Sequence, residues 1–200
     1  MRLDPVVLEG RQVRLEPLTL DHLDALSEVA LDPDLWRWTS ERAGSIDELR
    51  AYVERALAAQ QSGSALPFAT IARSIGKPVG STRFANVDLG NGRLEIGWTW
   101  LGREWQRTAL NTEAKYLMMK HAFETLGVRR VEFKTDVRNE RSRAAIRRIG
   151  AKEEGTLRKH LVTASGRVRD TVYYSVIDDE WPAVRIRLEE RLTVIPRTTA

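Results

Sequence analysis

The chain has no cysteine among its 200 residues, no apolar run long enough to cross a bilayer, and no basic-then-apolar opening of the kind a signal peptide shows. These absences point to an unanchored protein of the cytoplasm. No repeat, low-complexity tract or Gly/Ser/Pro-rich linker divides the sequence, which predicts one domain over residues 1–192 and a tail at 193–200 that frays. A dominant charge sign is also missing. The 32 basic residues are interspersed with 28 acidic ones for a net +4, which argues against direct binding of nucleic acid.

What is present is ordinary globular composition, 42% hydrophobic, enough for a full core. "RQVRLEPL" alternates like a strand, and "TLDHLDALSEVA" and "IDELRAYVERALAAQ" carry apolar residues at helical spacing. "LPFATIARS", "KPVGSTRFANVD" and "GRLEIGWTWL" read as an antiparallel meander turning at "SIG" and "LGNG". A helix follows from about Thr108 to Leu126, then a strand "RRVEFKTDV" and a short helix opened by Asn139 and closed by Gly150. A hairpin turning at "SG" and an amphipathic helix with Trp181, Val184, Leu188 and Leu192 on one stripe complete the order.

The segment "WQRTALNTEAK", Trp105 to Lys115, lies where the meander ends and the long helix begins. Free backbone N–H groups and the helix dipole meet at such a corner, so an anion is its natural ligand. Capping alone would also account for it.

The order of elements, with "EIGWTWL", "NTEAKYLMMKHAFE", "NERSRAAIRRIGAKEEG" and "GRVRDTVYYSVIDDEW" on them, resembles the GNAT N-acetyltransferases over roughly Leu8 to Leu192. Within that superfamily the chain looks like the ribosomal-protein N-terminal alanine acetyltransferases. The resemblance implies an α/β fold with a mixed, mostly antiparallel sheet splayed between its fourth and fifth strands and flanked by helices. It also implies acetyl-CoA as cosubstrate, with no metal and no membrane, and it leaves a homodimer open.

The same resemblance distributes the residues. The cofactor would be met by Trp98, Thr99, Trp100 and Leu101 on the fourth strand and by Gln106, Arg107, Thr108, Ala109, Leu110, Asn111 and Thr112 at the corner. Gln106 fills the first position of the family's pyrophosphate pattern, but Ala109 and Asn111 stand where glycine, and glycine or alanine, are usual. Asn139 and Ser142 match the Asn-x-x-Ser of the fourth helix beside the pantetheine, although both also serve as caps. Arg141, Arg143, Arg147 and Arg148 either reach nucleotide phosphates or form a solvated face.

Acetyl transfer needs a neutral amine, a held thioester, an oxyanion stabiliser and a proton for the thiolate. Glu95 matches a general base used elsewhere in the superfamily, and a strand carboxylate paired with Arg is the alternative. The superfamily's acidic tyrosine falls on Ile146, leaving Ser142 as the acid, and the branch's glutamate base falls on Leu161. His160 points away in a regular strand, Asp170 suits an Arg-paired role, and only one of Tyr173 and Tyr174 can reach the cleft. A lysine amine costs roughly 3 kcal/mol more to deprotonate at neutral pH than an α-amine, so thin base apparatus favours an α-amine. Trp36 and Trp38, with Glu95, are the candidate acceptor contacts, and the two tryptophans are equally well read as core anchors. The leading reading is acetylation of a protein N-terminus. A small amine (amino acid, polyamine or aminoglycoside) is the alternative acceptor, and a silent acyl-CoA-binding or interaction module is a reading of another class.

Overall fold

The computed structural model describes residues 3–194; the expected fray at 195–200 lies outside them, and 193–194 still belong to the last helix. Where one opening strand was predicted, the chain makes β1 (Leu8–Glu9) and folds it antiparallel onto β2 (Val13–Pro17), Leu8 facing Leu15. The cause lies a hundred residues on. The Glu113 carboxylate accepts the N–H groups of Arg11, Gln12 and Val13 at 2.8, 2.7 and 2.8 Å, and Gly10 leaves room for it. A Cβ on Gly10 would stand 2.5 Å from that carboxyl carbon.

A 3₁₀ turn leads into α1 (Leu23–Ala30), and α2 (Ile46–Gln61) starts at Ser45, whose hydroxyl accepts the Glu48 N–H at 3.2 Å. The meander follows as β3 (Leu66–Ala72), β4 (Lys77–Asp88) and β5 (Arg93–Leu101), each antiparallel to the one before it. The long helix opens two residues later than predicted, as α3 (Leu110–Lys120), and ends in a π-helical turn at His121–Thr125. β6 (Arg130–Asp136) and α4 (Glu140–Arg148) come next, with Asn139 accepting the Ser142 N–H at 3.1 Å and Gly150 closing at φ +100°. β7 (Lys152–Val162), β8 (Val168–Ile177) and α5 (Trp181–Val194) finish the fold.

One mixed sheet results, in the order β1-β2-β3-β4-β5-β6-β8-β7. One of its faces packs on α3 and α5 through Phe84, Leu94, Met118, Phe133, Tyr174, Trp181, Val184 and Leu188. The other packs on α1 and α2 through Leu26, Tyr52, Val53, Ile71 and Trp100. β5 and β6 form the parallel pair, and their register ends at Glu95 opposite Glu132. Beyond that point the two strands part, as the resemblance implies, and the site is built around the gap.

Candidate active site

Just past the gap's apex β5 carries a bulge. Gly97 pairs with Arg83 and Trp100 with Ser81, so Trp98 and Thr99 together oppose Thr82. Trp98 takes φ +49°, a left-handed conformation that tryptophan rarely adopts, and the extra residue reverses the alternation of side chains. Leu94 and Ile96 lie in the α3-side core, whereas Trp98 and Trp100 turn towards α1 and α2. Thr99 turns the other way and accepts a hydrogen bond from Lys115 Nζ at 2.5 Å, with Thr82 accepting from the same amine at 2.9 Å. Burial, with no carboxylate partner among the described residues, lowers the Lys115 ammonium to about 7.

The corner after β5 has the form an anion site requires. Gln106 donates its side-chain N–H to the Leu101 carbonyl at 2.9 Å, Thr108 Oγ1 accepts the Leu110 N–H at 3.3 Å, and Arg107 bends the chain at φ +66°. Among the described residues, the N–H groups of Arg107, Thr108, Ala109, Asn111 and Thr112 have no acceptor. Asn111 Oδ1 is likewise buried without a partner. Ala109 keeps φ −71°, so this turn needs no glycine there. Thr112 and Leu110 are otherwise buried in the first turn of α3.

The opposite face of the sheet beside the gap is polar. Glu95 is 4% exposed; its Oε2 accepts from Asn86 at 2.6 Å and pairs with Lys134 Nζ at 2.8 Å. Its Oε1 takes no hydrogen bond among the described residues and leans over Gly97, where an added Cβ would meet it at 2.8 Å. Burial works against the Lys134 ammonium, but the Glu95 carboxylate, helped by Tyr173 and Glu132, raises the pKa. Lys134 also stands 4.7 Å above the ring centre of Tyr173. Glu132, Lys134 and Asp136 on β6 register with Ser175, Tyr173 and Thr171 on β8, so these side chains share one face. None of Lys134, Arg83 or Asn86 was singled out from the sequence. The alternation of "EFKTD" was the available signal, since a wet strand face reads that way.

Several expectations are revised. Trp36 is a core anchor and not a wall of the cleft: it is 5% exposed, meets Tyr52 edge-to-face with ring centres 5.3 Å apart, and gives its indole N–H to the Ala30 carbonyl. Trp38 is half-buried, with the Arg37 and Arg167 guanidinium groups 5.0 and 5.4 Å from its ring centre. Glu95 pairs with lysine, not arginine. Asp170 accepts the backbone N–H of Lys159 at 2.7 Å instead of binding an arginine. That contact holds an irregularity in β7, with Lys159 at φ +49°, which turns His160 onto the edge of Tyr173 at 5.7 Å between ring centres. Tyr174 is fully buried and Tyr173 faces the cleft. Arg143 and Arg147 are engaged by Tyr174 and Glu153, while Arg141 and Arg148 are exposed. Ile146 is core and Leu161 is on the surface. Ser142 sits in the first turn of α4, half-buried.

A sheet parted between two parallel strands, with a bulge beside the gap and an open helix corner next to it, is the arrangement that the resemblance to acyltransferases of the GNAT type implies. The chain belongs to the GNAT family: the family model described as acetyltransferase (GNAT) domain matches residues 12–152. Similar proteins include one from Bacillus subtilis that carries the provisional name ribosomal N-acetyltransferase YdaF, 38% identical over 106 residues. That match spans 53% of this chain and 57% of the relative. Among solved structures, a GCN5-related N-acetyltransferase from Brucella melitensis is 35% identical with a TM-score of 0.86, the match covering 95% of this chain and 86% of that one. RimJ of Mycobacterium smegmatis, solved in complex with CoA-disulfide, shares the fold at TM-score 0.82 and 23% identity, over 94% of this chain and 95% of its own. The chain is thus an N-acetyltransferase of the GNAT type.

Proposed function

We propose that residues 1–192 act in the cytoplasm as one domain that transfers an acetyl group from acetyl-CoA to a primary amine, the α-amine of a protein N-terminus. The observation that carries this reading is the position of Glu95 Oε1. It is the uncommitted oxygen of a buried carboxylate, held over a glycine at the gap between β5 and β6. In this reading the pyrophosphate rests on the N–H groups of Arg107 to Ala109, Asn111 and Thr112, and the thioester lies along the bulge from Trp98 to Leu101. The neutral amine attacks the thioester carbonyl carbon, and a β5 amide receives the developing negative oxygen. The amine proton passes to Glu95 Oε1 as the N–C bond forms. The C–S bond then breaks, and the thiolate takes a proton from the Ser142 hydroxyl as that oxygen recovers one from solvent, while Glu95 returns its proton to solvent.

Two features support an α-amine. Glu95 is already engaged by Lys134, and the amine whose proton is easier to remove by roughly 3 kcal/mol suits such a base. The name of the relative YdaF, a ribosomal N-acetyltransferase, agrees with a protein acceptor. The test is thiol release from acetyl-CoA with a panel of ribosomal-protein N-terminal peptides, amino acids, polyamines and aminoglycosides. Release with peptides at the highest kcat/KM is expected. Release only with small amines would move the acceptor class, and none with any amine would leave a silent acyl-CoA-binding module.

A further inference from the structure

Arg83 is an arginine inside a buried strand run, "VGSTRFA", with Phe84 fully buried beside it. It is 5% exposed, and its Nε and Nη2 are buried without any hydrogen-bond partner. No carboxylate among the described residues pairs with it. Its guanidinium is instead held between two aromatic rings, 5.0 Å from the centre of Tyr52 and 5.0 Å from that of Trp98. Cation–π contact of this kind uses none of the N–H donors, which are left to be satisfied. A charge taken out of water with its donors unused is costly unless an anion meets it. The same residue pairs across the sheet with Gly97, so Arg83 shares a face with the one position of β5 that has no side chain, and Glu95 Oε1 leans over that position. Around the Gly97 notch stand a carboxylate oxygen able to receive an amine and a guanidinium able to receive a carboxylate.

We propose that Arg83 binds a carboxylate carried by the acceptor close to its reacting amine. This deepens the function proposed above and rests on it, because it takes Glu95 as the amine's partner. Bidentate geometry makes carboxylate the matching anion, and the Tyr52 and Trp98 rings fix the plane of the fork. The carboxylate has two sources that share this chemistry, the α-carboxylate of a free amino acid or an acidic side chain near a peptide's N-terminus. Trp98 owes its place over Arg83 to the bulge, so the element that would hold the thioester also holds the acceptor's anion site.

The test is equilibrium binding by calorimetry to the full chain saturated with CoA, using pairs that differ only in the anion. One pair is alanine and alaninamide; the other is an N-terminal peptide with Glu or Gln as its second residue. In the parent at least one acid should bind about tenfold or more tighter than its amide. The pair that discriminates identifies the source. In Arg83→Gln the two members should converge, and Arg83→Lys should keep part of the preference as a point charge without the fork. Equal binding of acid and amide in the parent would overturn the proposal, as would a preference that survives Arg83→Gln. Thiol release is read alongside: its absence with every amine would defeat the acetyltransfer reading, whereas the binding preference judges Arg83 separately.

Discussion

The two faces of the sheet at the gap between β5 and β6 are built from different material. The corner at Arg107 to Thr112 offers backbone N–H groups, while the face around Glu95 offers side chains: Glu95, Lys134, Tyr173 and Arg83. A backbone cradle depends on chain path and hardly at all on side-chain identity. That is why alanine and asparagine stand at 109 and 111 without closing the corner, Ala109 keeping an ordinary φ of −71°. A side-chain face is chosen residue by residue, and in the proposed reaction it is the face that meets the acceptor.

The comparison can be broken most sharply at Gly97. An added methyl would meet only the tip of a flexible side chain, Glu95 Oε1 at 2.8 Å, so Gly97→Ala should fold normally while pushing the proposed base aside. A displacement of about 1 Å at a reacting group costs on the order of 10²-fold, and kcat/KM should fall by that amount with CoA affinity kept. Unchanged kcat/KM would mean that the oxygen over Gly97 is not used.

The backbone side is probed by bulk. Ala109→Leu should weaken CoA binding by about tenfold or more, because a branched side chain on a residue 5% exposed must displace either the core or the phosphates. Measured by the CoA-induced rise in thermal midpoint, the shift should shrink in this variant and persist in Asn111→Gly. Parent-like binding by the leucine variant would remove the phosphates from the corner.

A smaller effect tests the bulge between the two sides. Folded Lys115 releases its proton near 7, against 10.5 for the free side chain, so between those values the unfolded chain binds more protons and stability rises with pH. The thermal midpoint of the parent should climb from pH 7 to 10, and Lys115→Met should flatten that climb. A parent midpoint independent of pH in this window would mean that Lys115 stays charged against Thr82 and Thr99.

Local signals carried most of the fold. Ser45 with Glu48, Asn139 with Gly150, and the turns at Gly76 and Gly92 mark their elements because the capping or left-handed residue is itself the physical cause. The short β1 and the bend after it depend on Glu113, a hundred residues away, and no local pattern could announce that contact. The side-chain face was partly visible. Glu95 and Trp38 were named from the resemblance, but Trp98 at φ +49° and Lys159 at φ +49° break the alternation on which face assignments rest, so the orientation of His160 was misread. Trp36 and Trp38 are indistinguishable in "DLWRWT"; packing against Tyr52 and Trp100 separates them. Arg83 and Lys134 carry no mark of their roles in the sequence; the sheet buries the one and pairs the other with Glu95.

The central claim is that Glu95 receives the amine proton, and Glu95→Gln with the best acceptor tests it most directly. In this variant kcat/KM should fall near 10²-fold, most at low pH and less as pH passes the amine's own pKa, with CoA affinity unchanged. A loss of the same size at every pH, or none at all, would contradict it.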